Sequence, residues 1–420
     1  MMLVDPEPAF LARLRGPPVP AFILGDLTSH SLGFIRSLGR RGIPTVAIAT
    51  KRAPKSRSRY CLRYYTIADE SERLAFLTQT GGLMAQKAAL LPTGDPDVLF
   101  MSRNRDVLSK HYHFILPSAD VLERLANKKS QYEYVEKVGF ALPQTFCLET
   151  EQDLARLAKS IRYPCVVKPA YSHIWRDRRS DTDEWRWLKA VQIDTPEQLR
   201  SVYEKISHYG LELLVQERIE GPDTRLYSLY IYFNRNSEPL AWCVIQKRRQ
   251  WPPLYGTGSF SITCRRDEVV ALGLKLLKDI GYQGIANAEF KHDARDGVFK
   301  LIEANVRGGE RIALAVAAGV DIPYIAYRDI IGDAILPTRE YKTGVTWVNL
   351  IQDLAAFSLY YRRIEASSWW RWICMSLTAQ SHAFFAWDDP VPVLGHLAQA
   401  LTGGAQMVYG RLRNRFGNHQ

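Results

Sequence analysis

The sequence predicts an α/β domain, then an α+β domain, then a mostly helical C-terminal region. Three observations carry this. Strand and helix patterns alternate as far as about residue 125, paired strands and separate helices follow to about 335, and the remainder is aromatic-rich with helical periodicity. The ranges expected are 1–125, 126–335 and 336–420, the second dividing into a lid at about 126–225 and a catalytic sheet at about 226–335. A chain of 420 residues is long enough for two or three domains with cores of their own.

In the first domain, "AFILGD" reads as a strand, "SLGFIRSLGRR" as a helix and "PTVAIAT" as a second strand, the alternation of a parallel sheet. Gly25 and Gly33 do not make a dinucleotide fingerprint, so no bound NAD is expected. "ALLPTGD" and "HFILPSAD" read as two further strands of this sheet, each ending in turn residues.

The second domain opens with a helix, "KSQYEYVEKV", stopped at Gly139. A second helix leads to the strand "YPCVVKP", a charged loop over 172–187 and a helix near 196–208. "LELLVQERI" and "LYSLYIYF" are strands joined through the turn "EGPD", and the helix "DEVVALGLKLLKDIG" precedes a hairpin, "IANAEFKHD" to "LIEANVRGGE". The apolar segment "ALAVAAGVDIPYIAYRDIIGD" should cover the sheet as helix. In the C-terminal region "SSWWRWICMSL" and "SHAFFAWDDPVP" precede the basic stretch "YGRLRNRFG". Packing on the main body is the expectation there, with contact to a membrane surface as the other reading.

The composition, 46% hydrophobic and 24% charged, is that of an ordinary globular chain. The six cysteines at 61, 147, 165, 243, 264 and 374 form no Cys-x-x-Cys pair, which argues against a zinc ribbon or disulfide framework and fits a reducing cytoplasm. The opening "MMLVDPEPAF" does not read as a secretory signal, and no apolar run is long enough for a membrane span, so a cytoplasmic or membrane-peripheral location is expected. A net charge of +11 admits nucleic acid, an anionic membrane surface or a polyanionic substrate such as a nucleotide. The arginines and tryptophans of "IWRDRRSDTDEWRWLK" could stack on single-stranded nucleic acid, but no recognisable nucleic-acid module accompanies them and nucleic acid is not the expected partner.

Chemistry concentrates in the hairpin. Side chains alternate along a strand, so Glu303, Asn305 and Arg307 share one face. If "RDG" is a three-residue loop with Gly297 in the left-handed position, Glu289 and Glu303 lie directly opposite each other, an arrangement of like charges that weakens a sheet. A divalent cation between them removes the conflict, with Asn305 as a third oxygen donor and Arg307 left to meet phosphate. A solvated, salt-bridged face explains the same residues, and a two-residue Asp-Gly turn would put the glutamates on opposite faces; at this point both readings stand.

The order of motifs resembles the ATP-grasp superfamily of carboxylate–amine ligases, in the branch that holds carbamoyl phosphate synthetase large subunits and D-aspartate ligases. The resemblance covers about residues 20–335. It implies an ATP-grasp fold behind a Rossmann-like pre-ATP-grasp domain. "LANKKSQYEYVEKVGFALPQT" matches the opening of the nucleotide-binding region, with Asn127 where the family has aspartate and Lys128 as the first phosphate-binding lysine. "CVVKPA" supplies the second, Lys168. In "LLVQERIEGPD" the resemblance gives Gln216 to the adenine amine, the Glu217 carbonyl and Ile219 N–H to the adenine edge, and Asp223 to the ribose. It also makes Glu289, Glu303 and Asn305 magnesium ligands, manganese being an acceptable substitute, and Arg307 the stabiliser of the transferred phosphoryl group.

One departure is the flap after the second lysine. The family has glycines there, whereas "AYSHIWRDRRSDTDEW" has none, leaving His173, Arg176, Arg178 and Arg179 as candidates to supply charge instead. In "VIQKRRQWPPLYGTGSFS", Lys247, Arg249 and the Gly256–Gly258 loop are candidates for holding a substrate carboxylate or phosphate, Lys247 being given a catalytic role. The implied activity joins a small-molecule carboxylate to an amine through an acyl phosphate, with ATP and magnesium as cofactors and a homodimer as a plausible assembly. The alternatives are a nucleotide-binding module without turnover, or a bicarbonate-using carboxylase or carbamoyl phosphate-type enzyme.

Overall fold

The computed structural model describes residues 8–26, 28–50, 57–170, 190–207 and 212–403. The first of three sheets is five-stranded and parallel, built from β1 (Ala21–Leu24), β2 (Thr45–Ala49), β3 (Cys61–Thr66), β4 (Ala88–Pro92) and β5 (Tyr112–His113) in the order β3-β2-β1-β4-β5. β1 and β2 are buried along their whole length, which is why they read as unbroken apolar runs without alternation. The strand order reverses between β1 and β4, so the loops leaving them, at Gly25–Asp26 and Thr93–Asp95, flank the crevice where such sheets place ligands. β3, a half-exposed edge strand, has no counterpart among the expected elements, and β5 overlaps the expected strand "HFILPSAD" only at His113.

The second sheet is a smaller antiparallel layer. β6 (Thr145–Leu148), β7 (Cys165–Pro169), β8 (Val191–Ile193) and β9 (Leu213–Glu217) pair in the order β6-β9-β7-β8. One face, with Cys165, Val167, Leu213 and Val215, packs on Leu154, Leu157, Leu199 and Val202 of two covering helices. Strand alternation then turns Lys168 and Gln216 to the other face.

The central sheet has seven strands: β10 (Leu226–Phe233), β11 (Pro239–Trp251), β12 (Thr257–Thr263), β13 (Gly284–His292), β14 (Phe299–Asn305), β15 (Thr346–Val348) and β16 (Ser381–His382), in the order β14-β13-β10-β11-β12-β15-β16. One face is apolar, with Leu229, Ile231, Ala286 and Ala288 in the core shared with the helix Asp267–Asp279. The other is divided. Tyr230, Tyr232, Cys243 and Ile245 meet the helices Ile312–Ala317 and Ile322–Ile330, whereas Ser228, Lys247, Glu289, Glu303 and Asn305 form a polar end. The covering segment is two helices and not one, broken at Gly319, whose φ of 99° suits only glycine.

The C-terminal region is mostly helical, as expected, and also supplies β15 and β16 to the central sheet. Buried ion pairs hold it in place: Asp389 to Arg36 at 2.9 Å, and Asp353 to Arg249 at 2.8 Å. Its helix Trp369–Leu377 leaves Trp370 and Leu377 exposed, at 72% and 78%. Among the described residues no helix is long and apolar enough to cross a membrane.

Candidate active site

The expected opposition of Glu289 and Glu303 is present, reached by a longer route. The loop closes at Asp293 and Val298, whose N–H···O bond is 2.9 Å, so it holds four residues and not three; Gly297, at φ 73°, still takes the left-handed position. That loop by itself would set Glu289 against Ile302. A bulge at Ile302 inserts one extra residue into β14 and restores the pair. The bulge is tied down from outside: the Tyr132 hydroxyl donates to the Ile302 carbonyl, and Leu301 N–H donates to Ala141 at 3.1 Å.

Tyr132 links the bulged strand β14 to Lys168 of the smaller sheet. Its oxygen accepts from Lys168 Nζ at 2.5 Å, and Lys168 also donates to Gln216 Oε1 at 2.9 Å. Gln216 is oriented in turn by donating to Thr145 Oγ1 at 2.7 Å. Burial pushes the Lys168 ammonium down to about 8, with Glu303 opposing the shift. Lys128 lies at the first turn of the helix Lys128–Lys137, which is capped by the Asn127 side chain, and its Nζ is 3.8 Å from Glu303 Oε2. Burial lowers its value too, again against the pull of Glu303. Two lysines, one from a helix and one from the smaller sheet, are thus drawn toward Glu303 of the central sheet.

Glu289 is held on both oxygens. Lys247 Nζ donates to Oε2 at 2.7 Å, while Arg311 Nη2 and Ser228 Oγ each lie 3.3 Å from Oε1. Asn305 Nδ2 donates to Glu303 Oε1 at 3.2 Å. Arg307 Nε reaches Asp95 Oδ1 of the first sheet's β4 loop at 3.0 Å, so the crevice of that sheet opens onto the same site. Burial alone would lower the Arg307 value, but Asp95, Glu303 and Tyr230 hold it above the ordinary one.

The expected adenine and ribose positions lie at the rim. The Glu217 side chain is anchored by Lys300 at 3.1 Å and Arg295 at 3.4 Å, Ile219 is buried, and Asp223 accepts from the Tyr361 hydroxyl of the C-terminal region. A ribose at Asp223 would have to compete with Tyr361. Arg249 is not part of the site, because Asp353 and Glu365 take its guanidinium. The charged flap with His173, Arg176, Arg178 and Arg179 lies outside the described residues. Sequence reasoning missed Tyr132, Ser228 and Arg311; only the Tyr132 position, one helical turn after Lys128, carried a hint.

The fit of a metal can be judged from the donors. Among the described residues no three His, Cys, Asp or Glu side chains gather at one point. The set here is two opposed carboxylates and the Asn305 amide, all oxygen, which suits magnesium, an ion that takes few protein ligands and fills the rest with water and phosphate. Lys247, Arg311 and Lys128 balance the carboxylate charge in this structure.

No family model matches the chain. It is 26% identical over 269 residues to a D-aspartate ligase of Enterococcus faecium, covering 62% of each chain, and 24% identical over 202 residues to D-alanine–D-alanine ligase B of Pseudomonas syringae pv. tomato, covering 46% of this chain and 57% of that one. The chain therefore spans less than two thirds of the length of either relative. Among solved structures, it is similar to the biotin carboxylase domain of Hydrogenobacter thermophilus 2-oxoglutarate carboxylase, determined with MgADP, ADP and bicarbonate. There the TM-score is 0.60 at 20% identity, over 78% of this chain and 73% of that one. The fold is the ATP-grasp fold shared by ligases and carboxylases.

Proposed function

We propose that this protein is an ATP-dependent ligase that joins a carboxylate to an amine through an acyl phosphate. The observation that carries the reading is that Lys128, on its helix, and Lys168, on β7 of the smaller sheet, both lie within electrostatic reach of Glu303, which stands opposite Glu289 and beside Asn305 on the central sheet, with Arg307 at the edge. A triphosphate needs this combination of fixed cations and metal-binding oxygens. The names of the two sequence relatives, both ligases of D-amino acids, support the amide-forming version.

In this reading Gln216, the Glu217 carbonyl, the Ile219 N–H and Asp223 hold the nucleoside, and the two lysines take phosphate oxygens. Glu289, Glu303 and Asn305 would hold magnesium or manganese, which when bound neutralises triphosphate charge. The substrate carboxylate attacks the γ-phosphorus, the bond to the β–γ bridging oxygen breaks and ADP leaves. The amine lone pair then attacks the acyl carbon, the carbon–oxygen bond breaks, inorganic phosphate leaves and the amine nitrogen loses a proton. Arg307 faces the negative charge that develops on the transferred group, and Lys247 keeps Glu289 aligned. Positioning and charge neutralisation do most of this work, so no protein nucleophile is required.

Release of ADP from ATP and magnesium, with pooled carboxylates and amines, tests the reading. Stimulation by a pool that disappears in Glu303→Ala supports it; tight ATP binding without stimulation by any pool leaves a nucleotide-binding module. A second reading, carboxylation, is favoured by the likeness to a biotin carboxylase domain. It requires ADP release that depends on bicarbonate and not on an amine. We propose in addition that the exposed face of the helix Trp369–Leu377, beside Arg371, meets an anionic membrane surface, and that the chain forms a homodimer, as the similar biotin carboxylase domain is described to do.

A further inference from the structure

The hairpin that carries the carboxylates also carries a second charged group, to which the ligase reading gives no task. Its loop begins at Asp293, whose carboxylate accepts from the Arg295 guanidinium and, at 2.9 Å, from Lys300 Nζ. Both cations also reach one further acceptor. Lys300 lies 3.1 Å and Arg295 3.4 Å from the two carboxylate oxygens of Glu217, the last residue of β9 in the smaller sheet. A backbone bond runs alongside, from Ala294 N–H to the Glu220 carbonyl at 3.1 Å. An exposed cluster of this kind would hold little, but Asp293 is fully buried and Lys300 is 9% exposed, so opening it would strand charge in the interior.

The strand register makes the contact possible. Glu289 and Lys291 lie two residues apart on β13 and share its polar face, with Glu303 opposite the first and Lys300 opposite the second. Lys300 and Glu303 are three positions apart, an interval that on a regular strand would turn them to opposite faces. The bulge at Ile302 takes up the extra residue, so β14 presents Glu303 to the proposed metal position and Lys300 to Glu217 from one face.

This matters because the two ends of the proposed nucleotide site belong to different sheets. The base would meet the Glu217 carbonyl and the Ile219 N–H at the end of β9, and the phosphates would meet Glu289 and Glu303 on the central sheet. A shift of one sheet against the other changes that spacing, and a tether between them preserves it.

We propose that Lys300 and Arg295, organised by Asp293, are positioning residues that clamp the nucleobase edge at Glu217 to β14, so that the base and the phosphates of one nucleotide are held in register. The proposal rests on the nucleotide-binding part of the ligase reading and not on its acyl phosphate chemistry. In this role neither cation touches the nucleotide; both act through the Glu217 side chain on the carbonyl of the same residue.

The test compares dissociation constants of MgADP and of magnesium tripolyphosphate for the full chain, by titration calorimetry. The first ligand uses both ends of the site, the second only the phosphate end. Lys300→Met removes the tether from the central sheet. Glu217→Gln weakens it from the other side, leaves Asp293, Arg295 and Lys300 paired, and keeps the result readable if Lys300→Met fails to fold. In both variants MgADP should bind about tenfold more weakly, the scale of one hydrogen bond to a charged group, while tripolyphosphate binds as it does to the parent. Lys300→Arg should recover most of the loss, and this recovery decides if tripolyphosphate binds too weakly to measure. Equal weakening of the two ligands, unchanged MgADP affinity in Glu217→Gln, or a parent chain that binds no MgADP overturns the clamp. ADP release separates the two readings. Weaker MgADP binding in Glu217→Gln, with no pool stimulating ADP release in the parent, keeps the clamp and removes the ligase. Stimulated release lost in Glu303→Ala, with MgADP affinity unchanged in both tether variants, keeps the ligase and removes the clamp.

Discussion

Two buried arginines of the central domain, Arg249 and Arg311, are used in opposite ways. The Arg249 guanidinium gives both Nε and Nη2 to Asp353, at 3.0 and 2.8 Å, gives Nη1 to Glu365 at 3.2 Å, and lies over the rings of Phe260 and Phe357. Asp353 also accepts from Ser259 at 2.8 Å and Trp372 Nε1 at 2.9 Å. Arg311, almost as deeply buried, gives Nη2 to Ser228 at 3.1 Å and to Glu289 at 3.3 Å and leaves its Nε without an acceptor. A buried cation whose donors are all matched is a joint between parts of the fold. One left half-matched, next to opposed carboxylates, serves the proposed site by holding Glu289 in place.

Breaking the joint should give the largest effect. Asp353→Ala leaves the Arg249 charge buried against Glu365 alone, and a loss of about 3–5 kcal/mol is expected in urea unfolding, with ADP release per folded molecule little changed. Replacing Arg249 and Asp353 together by Met and Leu should recover much of that loss, since the pair itself adds little beyond a well-packed apolar contact. In the candidate site the pattern reverses. Lys168→Met should lower substrate-stimulated ADP release on the order of 100-fold, while the unfolding free energy moves by about 1 kcal/mol or less.

A smaller effect comes from the Lys168 value of about 8. The charged ammonium binds phosphate, so ATP affinity is full below that value and is lost as pH rises through it. Between pH 7 and 9 the dissociation constant should rise about tenfold, and Lys168→Arg should flatten the profile, as titration calorimetry can show. For the ligand-free protein the sign is opposite. The unfolded chain holds the extra proton between about 8 and the ordinary value of 10.5, so stability should increase with pH across that window. The smallest effect on folding is expected at the exposed Trp370, where substitution by serine should change stability by about 0.5 kcal/mol or less and, if the proposed membrane contact is real, reduce sedimentation with anionic vesicles.

Parts of this contrast were legible beforehand. Alternation placed Glu303, Asn305 and Arg307 on one face, and the apolar strand ending at Lys168 marked a buried cation. The Glu289–Glu303 pair was reached through two one-residue offsets that cancel: the loop is longer by one residue than expected, and the Ile302 bulge restores the register. The bulge depends on Tyr132, 170 residues away in sequence, and no local pattern announces it.

Local chemistry therefore determined what is local: the alternating strands, the helix stops, the carboxylate face and the left-handed Gly297, because each depends on neighbours a few residues apart. Tertiary structure decided which charges are matched. Arg249 reads as a candidate for a substrate anion and Arg311 is not singled out at all in sequence, and only packing brings Asp353, 104 residues on, to the first and Glu289, 22 residues back, to the second. Hydrogen bonding and desolvation are settled by partners in space, and these the order of residues does not display.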